Sequence, residues 1–259
     1  MSYAVIQTGG KQYKVRSGEF LKIEIIKCLQ DNFSYLIIDE KTQIACVVDP
    51  SEAKPIINFL NNKKINLKYI LNTHHHYDHV GGNIELKKKY NSYVIGFKGD
   101  RDRIPEIDIL LKDNQTWKKD NFEAKIYHIP GHTTGHIAFH FFKEKKVFTG
   151  DTLFSLGCGR LFEGTYEQMF SSLKKIKQLP KDTEIYCGHE YTLQNSNFCI
   201  ANDPENSKLK KKITKIKNNL EKDLPTIPTI LEDELECNIF LKANDLKTFS
   251  KLRDLKDNF

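Results

Sequence analysis

The sequence predicts an α/β fold, and three observations support this prediction. From Lys22 onward, short apolar segments rich in β-branched residues alternate with amphipathic segments of helical period. Several of the short segments end in a small turn that is followed at once by a histidine or an aspartate. The chain of 259 residues is long enough for one large domain with a smaller appendage.

The pattern begins with three segments that we interpret as strands. They are IEIIKCL, FSYLIID and IACVVDP, and the last of them ends in a turn at Asp49–Pro50. A helix with Ser51 as its N-terminal cap is expected to follow. We predict a second helix at Asn83–Tyr90, after two glycines (Gly81 and Gly82) that permit a tight turn.

Four further segments share one pattern, in which a β-rich stretch is followed by a side chain that can bind a metal ion. LKYILN leads into the cluster NTHHHYDHVGG (residues 72–82), AKIYHIPG into His132, KKVFTG into Asp151 and TEIYCG into His189. Loops that follow strands are where α/β folds gather their sites. We therefore expect four strands of one sheet to direct their loops to a common point.

The last third of the chain is predicted to be mainly helical. Helices are expected at Tyr166–Leu179 and at Lys208–Lys222. In the second of these, four apolar residues recur at helical spacing beneath a lysine-rich face: Leu209, Ile213, Ile216 and Leu220. LPTIPTI (224–230) contains two prolines and is expected to be an extended connector.

Composition narrows the class of protein. No apolar run approaches the roughly 18–20 residues of a membrane span, and no secretion signal is visible, so we expect a cytoplasmic protein. The net charge of +6 would suit nucleic acid or an acidic small molecule, but much of it lies on one helix, and we interpret it as a solvated face. The six scattered cysteines include no CxxC pair, which favours free thiols over a disulfide framework.

The cluster NTHHHYDHVGG places four histidines and an aspartate within six positions. Structural zinc sites close with four ligands and favour cysteine, whereas these donors are imidazoles and carboxylates. With the three later donors they are too many for one tetrahedral ion, and they suit two ions that share a carboxylate and keep a position open for water. The sequence therefore predicts a catalytic metal centre. Alternation in an extended loop directs His74 and His76 to one ion, leaves His75 pointing away, and lets Asp78 and His79 serve the second.

The motifs THHHYDHVGG, PGHTTGH, FTGDTLF and CGHEYT together resemble those of the metallo-β-lactamase superfamily. GCGRLFEGT (157–165), NIFLK and LRDLKDNF narrow the resemblance to the glyoxalase II family, the hydroxyacylglutathione hydrolases. The resemblance spans Lys22–Phe259 and implies a four-layer αββα sandwich with a small helical C-terminal domain. We accordingly divide the chain into a leader or extension (1–21), a metal-binding domain (22–165) and a mainly helical substrate-binding domain that also supplies His189 (166–259).

The resemblance also implies a role for each candidate residue. It assigns the first metal ion to His74, His76 and His132. It assigns the second to Asp78, His79 and His189. Asp151 would bridge the two ions, and Asp78 and Asp151 would orient a metal-bound hydroxide. His128, His136 and His140 match no ligand position, so core or supporting roles are expected for them.

Contacts to the substrate are implied at Arg160, Leu161, Tyr191 and Lys242. The guanidinium of Arg160 would grip a carboxylate, and the hydroxyl of Tyr191 would donate a hydrogen bond. Lys242 stands where family members often carry arginine, so it would keep the charge without the bidentate geometry. Phe162 stands where some relatives have tyrosine, which removes one polar contact.

The implied activity is hydrolysis of S-(2-hydroxyacyl)glutathione, chiefly S-D-lactoylglutathione, to glutathione and D-lactate, as in methylglyoxal detoxification. The implied cofactors are two divalent metal ions, zinc or else iron or manganese. They would lower the pKa of a bridging water from about 15.7 toward about 7, and the resulting hydroxide would attack the thioester carbonyl. The implied partner is the glutathione thioester, and a monomer that binds neither nucleic acid nor membrane is expected.

Three alternatives remain open. A persulfide dioxygenase shares glutathione and parts of GCGR, but it uses a single iron and would not need His189. An RNA phosphodiesterase of the same superfamily would fit the positive charge. A ribosome-associated RNA-binding protein, which is not an enzyme, is suggested by residues 1–20, MSYAVIQTGGKQYKVRSGEF, which resemble the opening of bacterial ribosomal protein L21. We interpret these residues as a leader, or as a native extension that forms an edge hairpin, and assign them no function.

Overall fold

The computed structural model describes residues 3–8, 11–16 and 21–259. The strands are β1 Tyr3–Thr8, β2 Lys11–Arg16, β3 Leu21–Cys28, β4 Asn32–Asp39, β5 Ile44–Val48, β6 Asn66–Leu71, β7 Tyr93–Phe97, β8 Ile107–Leu111, β9 Thr116–Lys119, β10 Phe122–His128, β11 Ile137–Phe141, β12 Lys146–Gly150, β13 Leu153–Phe154, β14 Gly157–Cys158, β15 Glu184–Cys187 and β16 Thr229–Ile230. The helices are α1 Ala53–Lys63, α2 Tyr77–Val80, α3 Asn83–Tyr90, α4 Tyr166–Lys177, α5 Thr192–Asn202, α6 Ser207–Leu220, α7 Leu231–Cys237, α8 Ile239–Lys242 and α9 Leu246–Asp257.

Two six-stranded mixed sheets form the centre of the fold. The first has the order β3-β4-β5-β6-β7-β8, antiparallel as far as β5 and parallel from there on. The second has the order β16-β15-β12-β11-β10-β9, in which only the β12–β15 pair is parallel. The strands β13 and β14 form a short hairpin, and β1 pairs with β2 in a separate antiparallel sheet.

The alternation of side chains along the strands builds four layers. In β4, Phe33 and Ile37 enter the core between the sheets, whereas Leu36 faces the opposite side, where it joins residues of α1 and α3. In β12, Phe148 points into the core between the sheets, and Val147 packs with α4 on the outside. The order is therefore helix, sheet, sheet, helix, which confirms the predicted αββα sandwich.

A buried carboxylate joins the C-terminal helices to the hairpin β13–β14. Glu234 of α7 is fully buried, and its side chain accepts hydrogen bonds from the amide of Leu156 (2.8 Å) and from Lys212 Nζ (2.6 Å). The amide of Asn238 adds a hydrogen bond to the carbonyl of Gly157 at 3.1 Å. Because an unpaired buried charge is costly, these partners fix the hairpin against the helices.

The four strands that precede the metal-binding side chains do not belong to one sheet, so that prediction was wrong. The strand β6 lies in the first sheet, whereas β10, β12 and β15 lie in the second. The loops nevertheless converge, because both layers of a sandwich present strand ends at the same edge. Apolar patterning reports that a segment is a buried strand but carries no information about which sheet it joins.

The predicted helix boundaries are mostly confirmed. The helix α3 has the predicted bounds, and in α6 both Leu209 and Ile216 are buried, as the helical spacing requires. The predicted cap Ser51 is wrong, because α1 begins at Ala53 after Glu52, and no side chain caps it. Within the described residues, no helix combines the length and apolar character that a membrane crossing requires.

The glycines after the histidine cluster serve a purpose other than the one we predicted. Gly81 and Gly82 both have right-handed backbone angles, with φ of −60° and −84°, which any residue adopts. A β-carbon on Gly81 would lie 2.6 Å from the carbonyl oxygen of Ser51, and one on Gly82 would lie 2.9 Å from that of Pro50. They are needed for close backbone approach rather than for a tight turn.

All six cysteines are unpaired and buried, which confirms the expectation of free thiols. Burial raises the pKa of Cys199 to about 12 and that of Cys237 to about 11. We therefore expect the folded protein to resist modification by the thiol reagent DTNB, because the reactive thiolate is both rare and inaccessible. Titration in denaturant should reveal six thiols, and rapid modification of any thiol in the folded protein would contradict the structure.

Candidate metal centre and adjacent cavity

The structure brings all seven predicted metal donors together at one edge of the sandwich. The ligand atoms of His74, His76 and His132 lie within 4.8 Å of one another, and those of Asp78, His79 and His189 form a second such group. Asp151 lies between the groups, with Oδ2 at 3.5 Å from His132 Nε2 and 3.2 Å from His189 Nε2. The seven donors therefore form two groups with one carboxylate between them. This is the arrangement expected for two ions that share a carboxylate.

The spacing and the partners of these atoms fit divalent cations. A tetrahedral ion with bonds of about 2.0–2.1 Å would separate its ligand atoms by roughly 3.3 Å. His79 Nε2 lies 3.4 Å from Asp151 Oδ1, and His189 Nε2 lies 3.4 Å from Asp78 Oδ2. In the described part of the chain, three buried atoms of the cluster have no hydrogen-bond partner: His74 Nε2, His79 Nε2 and Asp151 Oδ1. Buried polar atoms require a partner, and a cation would supply one.

Four of the imidazoles are held by an oxygen on the side away from the cluster. In each, Nδ1 lies within hydrogen-bond distance of an acceptor, so that Nε2 is directed to the common point. For His74, His79, His132 and His189 the acceptors are Thr73 Oγ1 (3.0 Å), Asp49 Oδ2 (3.0 Å), the carbonyl of Arg160 (2.9 Å) and Asp31 Oδ1 (2.8 Å). Proton placement on Nδ1 leaves the Nε2 lone pair available to a metal ion.

Asp49 is the supporting residue with the most contacts to the histidine loop. Besides His79, its carboxylate accepts hydrogen bonds from the amide of Thr73 (2.8 Å) and from the Thr73 hydroxyl (2.6 Å). Its own backbone is left-handed, with φ of 48°, a conformation that non-glycine residues adopt mainly where their surroundings enforce it. The sequence showed Asp49 only as part of a turn, because one aspartate at a strand end is typical of a turn.

Two further supports were also missed or left unspecified. Asn32 Nδ2 donates to Asp78 Oδ2 at 3.0 Å, which orients that carboxylate. The ring of His136 stacks on that of His74 with centroids 4.6 Å apart, and its Nε2 accepts a hydrogen bond from the amide of Asp151 (3.0 Å). His136 is thus a supporting residue, whereas His140 is buried away from the cluster.

The cluster's electrostatics favour metal binding. Burial opposes ionisation of Asp151, but the imidazoles of His189 and His79 hold the pKa of this carboxyl well below its usual range. Burial and the neighbouring imidazoles lower the pKa of His74 well below its ordinary value, so it is neutral. For His189, burial is outweighed by Asp151 and Asp78, which raise its pKa to about 11. Without a metal ion, the proton on His189 offsets the negative charges of Asp151 and Asp78. A bound cation would take the place of that proton.

A cavity of about 430 Å³ adjoins the cluster and is lined by His132 and Asp151 on one side. Two of the predicted substrate contacts, Arg160 and Tyr191, line this cavity. The ring of Tyr191 stacks on His189 with centroids 4.7 Å apart and planes 3° from parallel. Arg160 is largely exposed, and its Nε lies 3.5 Å from Asp257 Oδ1.

The other two predicted contacts lie elsewhere. Neither Leu161 nor Lys242 is among the described residues that line this cavity. Lys242 Nζ is paired with the Asp203 carboxylate, and Leu161 packs against the helical core. The structure therefore pairs Lys242 with Asp203 and does not place it in the lining of this cavity.

The last helix supplies two cavity cations that sequence reasoning missed. Arg253 and Lys256 of α9 line the cavity. Arg253 is buried and donates to the carbonyl of Cys158 (2.7 Å) and to Asp257 (2.8 Å), whereas Lys256 lies over the ring of Phe259. Their spacing of three within LRDLKDNF was the available signal, but it was used only for the resemblance.

Comparison with known proteins identifies the chain. Residues 30–189 match the model of the metallo-beta-lactamase superfamily, and residues 190–259 match the hydroxyacylglutathione hydrolase C-terminus. The chain is 67% identical over 239 residues to a hydroxyacylglutathione hydrolase of Pelagibacter ubique (strain HTCC1062), covering 92% of this chain and 100% of the relative. The chain belongs to the hydroxyacylglutathione hydrolase family. It is also 40% identical over 253 residues to the hydroxyacylglutathione hydrolase of Methylococcus capsulatus, covering 92% of this chain and 99% of the relative.

Solved structures support the fold of this hydroxyacylglutathione hydrolase. ETHE1 from Myxococcus xanthus superimposes with a TM-score of 0.69 at 20% identity, covering 91% of this chain and 90% of that one. At this identity the likeness shows the metallo-β-lactamase fold alone. Neither matched family model includes residues 1–20, and their resemblance to ribosomal protein L21 is unsupported.

The role of Asp49 leads to a prediction about metal affinity. Asp49→Asn should weaken metal binding by about 10- to 100-fold, because the amide no longer supplies a charged acceptor for His79 and Thr73. Competition with a chelator measures the affinity, and Asp102→Asn, at an exposed position outside the cluster, is the control. An Asp49→Asn protein with the affinity of the wild type would contradict the role.

Proposed function

We propose that this hydroxyacylglutathione hydrolase cleaves S-(2-hydroxyacyl)glutathione, chiefly S-D-lactoylglutathione, to glutathione and D-lactate. The observation that carries the proposal is the continuity of the cationic cavity with the seven-donor cluster: His132 and Asp151 line the cavity, and Asp151 lies within 3.5 Å of His132 Nε2 and 3.2 Å of His189 Nε2. A thioester of an anionic peptide therefore has a binding surface for its peptide portion next to a centre that activates water.

In this proposal the cluster holds two divalent ions. His74, His76 and His132 bind the first, Asp78, His79 and His189 bind the second, and Asp151 is shared. When bound, the ions acidify a coordinated water from a pKa of about 15.7 to about 7 and neutralise charge that develops on the carbonyl oxygen. We propose zinc in both positions, and iron and manganese are the alternatives that a metal analysis would distinguish.

Several side chains keep the donors in place during the reaction. Asp49 and Asp31 hold the protons on Nδ1 of His79 and His189, so these rings present only Nε2 to the ions. Asp78, held by Asn32, orients the attacking water. The leaving thiol is far more acidic than an alcohol, so the cleavage requires no separate strong acid. The buried thiols of Cys158 and Cys187 have a structural role.

Glutathione is bound, in this proposal, by the cations of the cavity. Arg160 and Lys256 carry the charges that suit its carboxylates, and Arg160 adds the planar fork that matches them. The hydroxyl of Tyr191 donates a hydrogen bond to the peptide. Arg253 is nearly enclosed, with NH1 donating to the carbonyl of Cys158 and NH2 paired with Asp257, so it holds the hairpin β13–β14 and adds positive charge to that wall of the cavity.

We also propose a cytoplasmic location. Its support is the six unpaired thiols, because proteins of oxidising compartments usually pair their cysteines. The monomeric state expected from the family resemblance stays a prediction.

The proposed reaction is tested directly with the purified protein reconstituted with zinc. We expect loss of the ultraviolet absorbance of the S-D-lactoylglutathione thioester and release of free glutathione. Asp151→Ala should abolish turnover and lower the metal content, because it removes the carboxylate that both donor groups share. Absence of turnover with zinc, iron and manganese alike would refute the proposed activity.

A substitution of Arg160 tests the assignment of the cavity. Arg160→Met should raise KM about tenfold and leave kcat within about threefold, because the contact is remote from the reacting carbonyl. Steady-state kinetics separate the two constants. Arg101→Met removes an exposed arginine from a loop outside the cavity and should change neither constant. An unchanged KM in Arg160→Met would show that glutathione lies elsewhere.

A further inference from the structure

The metal cluster does not account for one polar network beside it. His75, the one histidine of the loop 72–82 that is not among the metal donors, is directed to two carboxylates, with Nδ1 at 3.3 Å from Asp100 and Nε2 at 3.4 Å from Glu163. Arg103 lies between the same two carboxylates, with NH1 at 2.7 Å from Glu163 and NH2 paired with Asp100. Three loops that are distant in sequence therefore meet through one arginine.

The Glu163 end of this network is fixed to the loop that carries His132. Its Oε2 accepts hydrogen bonds from the amide (2.7 Å) and the hydroxyl (2.9 Å) of Thr134, and Arg103 NH2 donates to the same hydroxyl at 3.2 Å. Burial opposes ionisation, but the hydrogen bonds from Thr134 and Arg103 lower the pKa of Glu163 to about 2. The carboxylate is charged at neutral pH and accepts three hydrogen bonds, two from Thr134 and one from Arg103.

The Asp100 end is anchored in the interior. The Asp100 side chain is fully buried, and a β-carbon on Gly135 would lie 1.8 Å from its Oδ1, so the carboxylate is seated directly against the backbone after Thr134. An ion pair between two mobile surface side chains contributes little, because ordering them offsets the attraction. Here the Asp100 carboxylate is buried and immobile. Its ion pair with Arg103 restrains the guanidinium, and the guanidinium in turn restrains Glu163.

Glu163 belongs to a segment that contacts both the metal donors and the cavity. This segment, residues 160–164, begins with Arg160, whose carbonyl accepts the Nδ1–H of His132 (2.9 Å). The ring of Phe162 lies 5.7 Å from the ring of His76 and 5.2 Å from that of His132. The backbone of the segment follows the His132 loop, with the amide of Phe162 donating to the carbonyl of His132 at 3.2 Å.

We infer that Arg103 and Glu163 form a brace that fixes the 160–164 segment over the metal donors and thereby sets the affinity for the glutathione thioester. Both are positioning residues, because they act through Arg160 and Phe162 rather than on the substrate. The inference rests on the proposed function for its kinetic consequence. Its structural consequence, a rigid 160–164 segment, is independent of the substrate.

The kinetic test uses Glu163→Ala and Arg103→Met in the zinc-loaded protein. Each should raise KM about tenfold and leave kcat within about threefold, because the donors and the reacting carbonyl are not displaced. Glu163→Gln keeps one oxygen that can accept from the amide and hydroxyl of Thr134, but it presents an NH2 donor to Arg103, so its KM should lie between those of the wild type and Glu163→Ala. Glu205→Ala and Arg101→Met, at exposed positions outside the network, are the controls and should leave both constants unchanged.

The double variant Arg103→Met/Glu163→Ala distinguishes a brace from two separate contacts. If both residues act through one brace, the KM of the double variant should equal that of the weaker-binding single variant. The first substitution has already removed the brace, so the second has no further contact to disrupt. If each residue contacts the substrate on its own, the effects should multiply to about 100-fold. That multiplication, or an unchanged KM in both single variants, would overturn the inference.

Hydrogen–deuterium exchange tests the brace without any substrate. In zinc-loaded Glu163→Ala, a peptide covering residues 159–166 should exchange faster than in the wild type, with the rest of the chain unchanged. Faster exchange together with a wild type that does not cleave the thioester would refute the proposed function and keep the brace. If the wild type cleaves the thioester but exchange in Glu163→Ala is unchanged, the proposed function is supported and the brace is refuted. Loss of protection throughout the chain would show unfolding, and Glu163→Gln then provides the comparison.

Discussion

Four of the five imidazole donors have the nitrogen on the side away from the cluster held by an oxygen, and the surroundings of the cluster follow from that constraint. The acceptors come from the turn between β3 and β4 (Asp31), from the end of β5 (Asp49) and from the strand-end loop after β14 (the carbonyl of Arg160). No short stretch of chain could supply them all. The two sheets must therefore keep one relative position, and the aromatic core between them, including Phe33 and Phe148, maintains it.

The site could be predicted from the sequence to the extent that its residues are clustered or follow a repeated pattern. Four donors lie in one loop and three follow strand ends, so the donor set was visible without a structure. Asp49 and Asp31 were not visible, because an aspartate next to a turn is typical of the turn itself. The pairing of Lys242 with Asp203 was not visible either, because it depends on packing between helices.

The fold was predicted at the level of its elements and less well at the level of their partners. Periodicity identified α6 and the buried strands, since it depends only on which side of an element is covered. The assignment of β6 to one sheet and of β12 to the other depends on contacts far apart in the chain. The same holds for Glu234, which is fully buried and accepts a hydrogen bond from Lys212 although it lies in an acidic helix turn.

The cavity beside the cluster is lined by residues from His132 to Phe259, the last residue of the chain. During synthesis all seven donors have been made once His189 is added, but the lining of the cavity is not complete. It still lacks the final helix with Arg253 and Lys256, and the buried carboxylate of Glu234 that joins the hairpin to the helices. The last residue that lines the cavity, Phe259, is therefore made 70 residues after the last donor, His189.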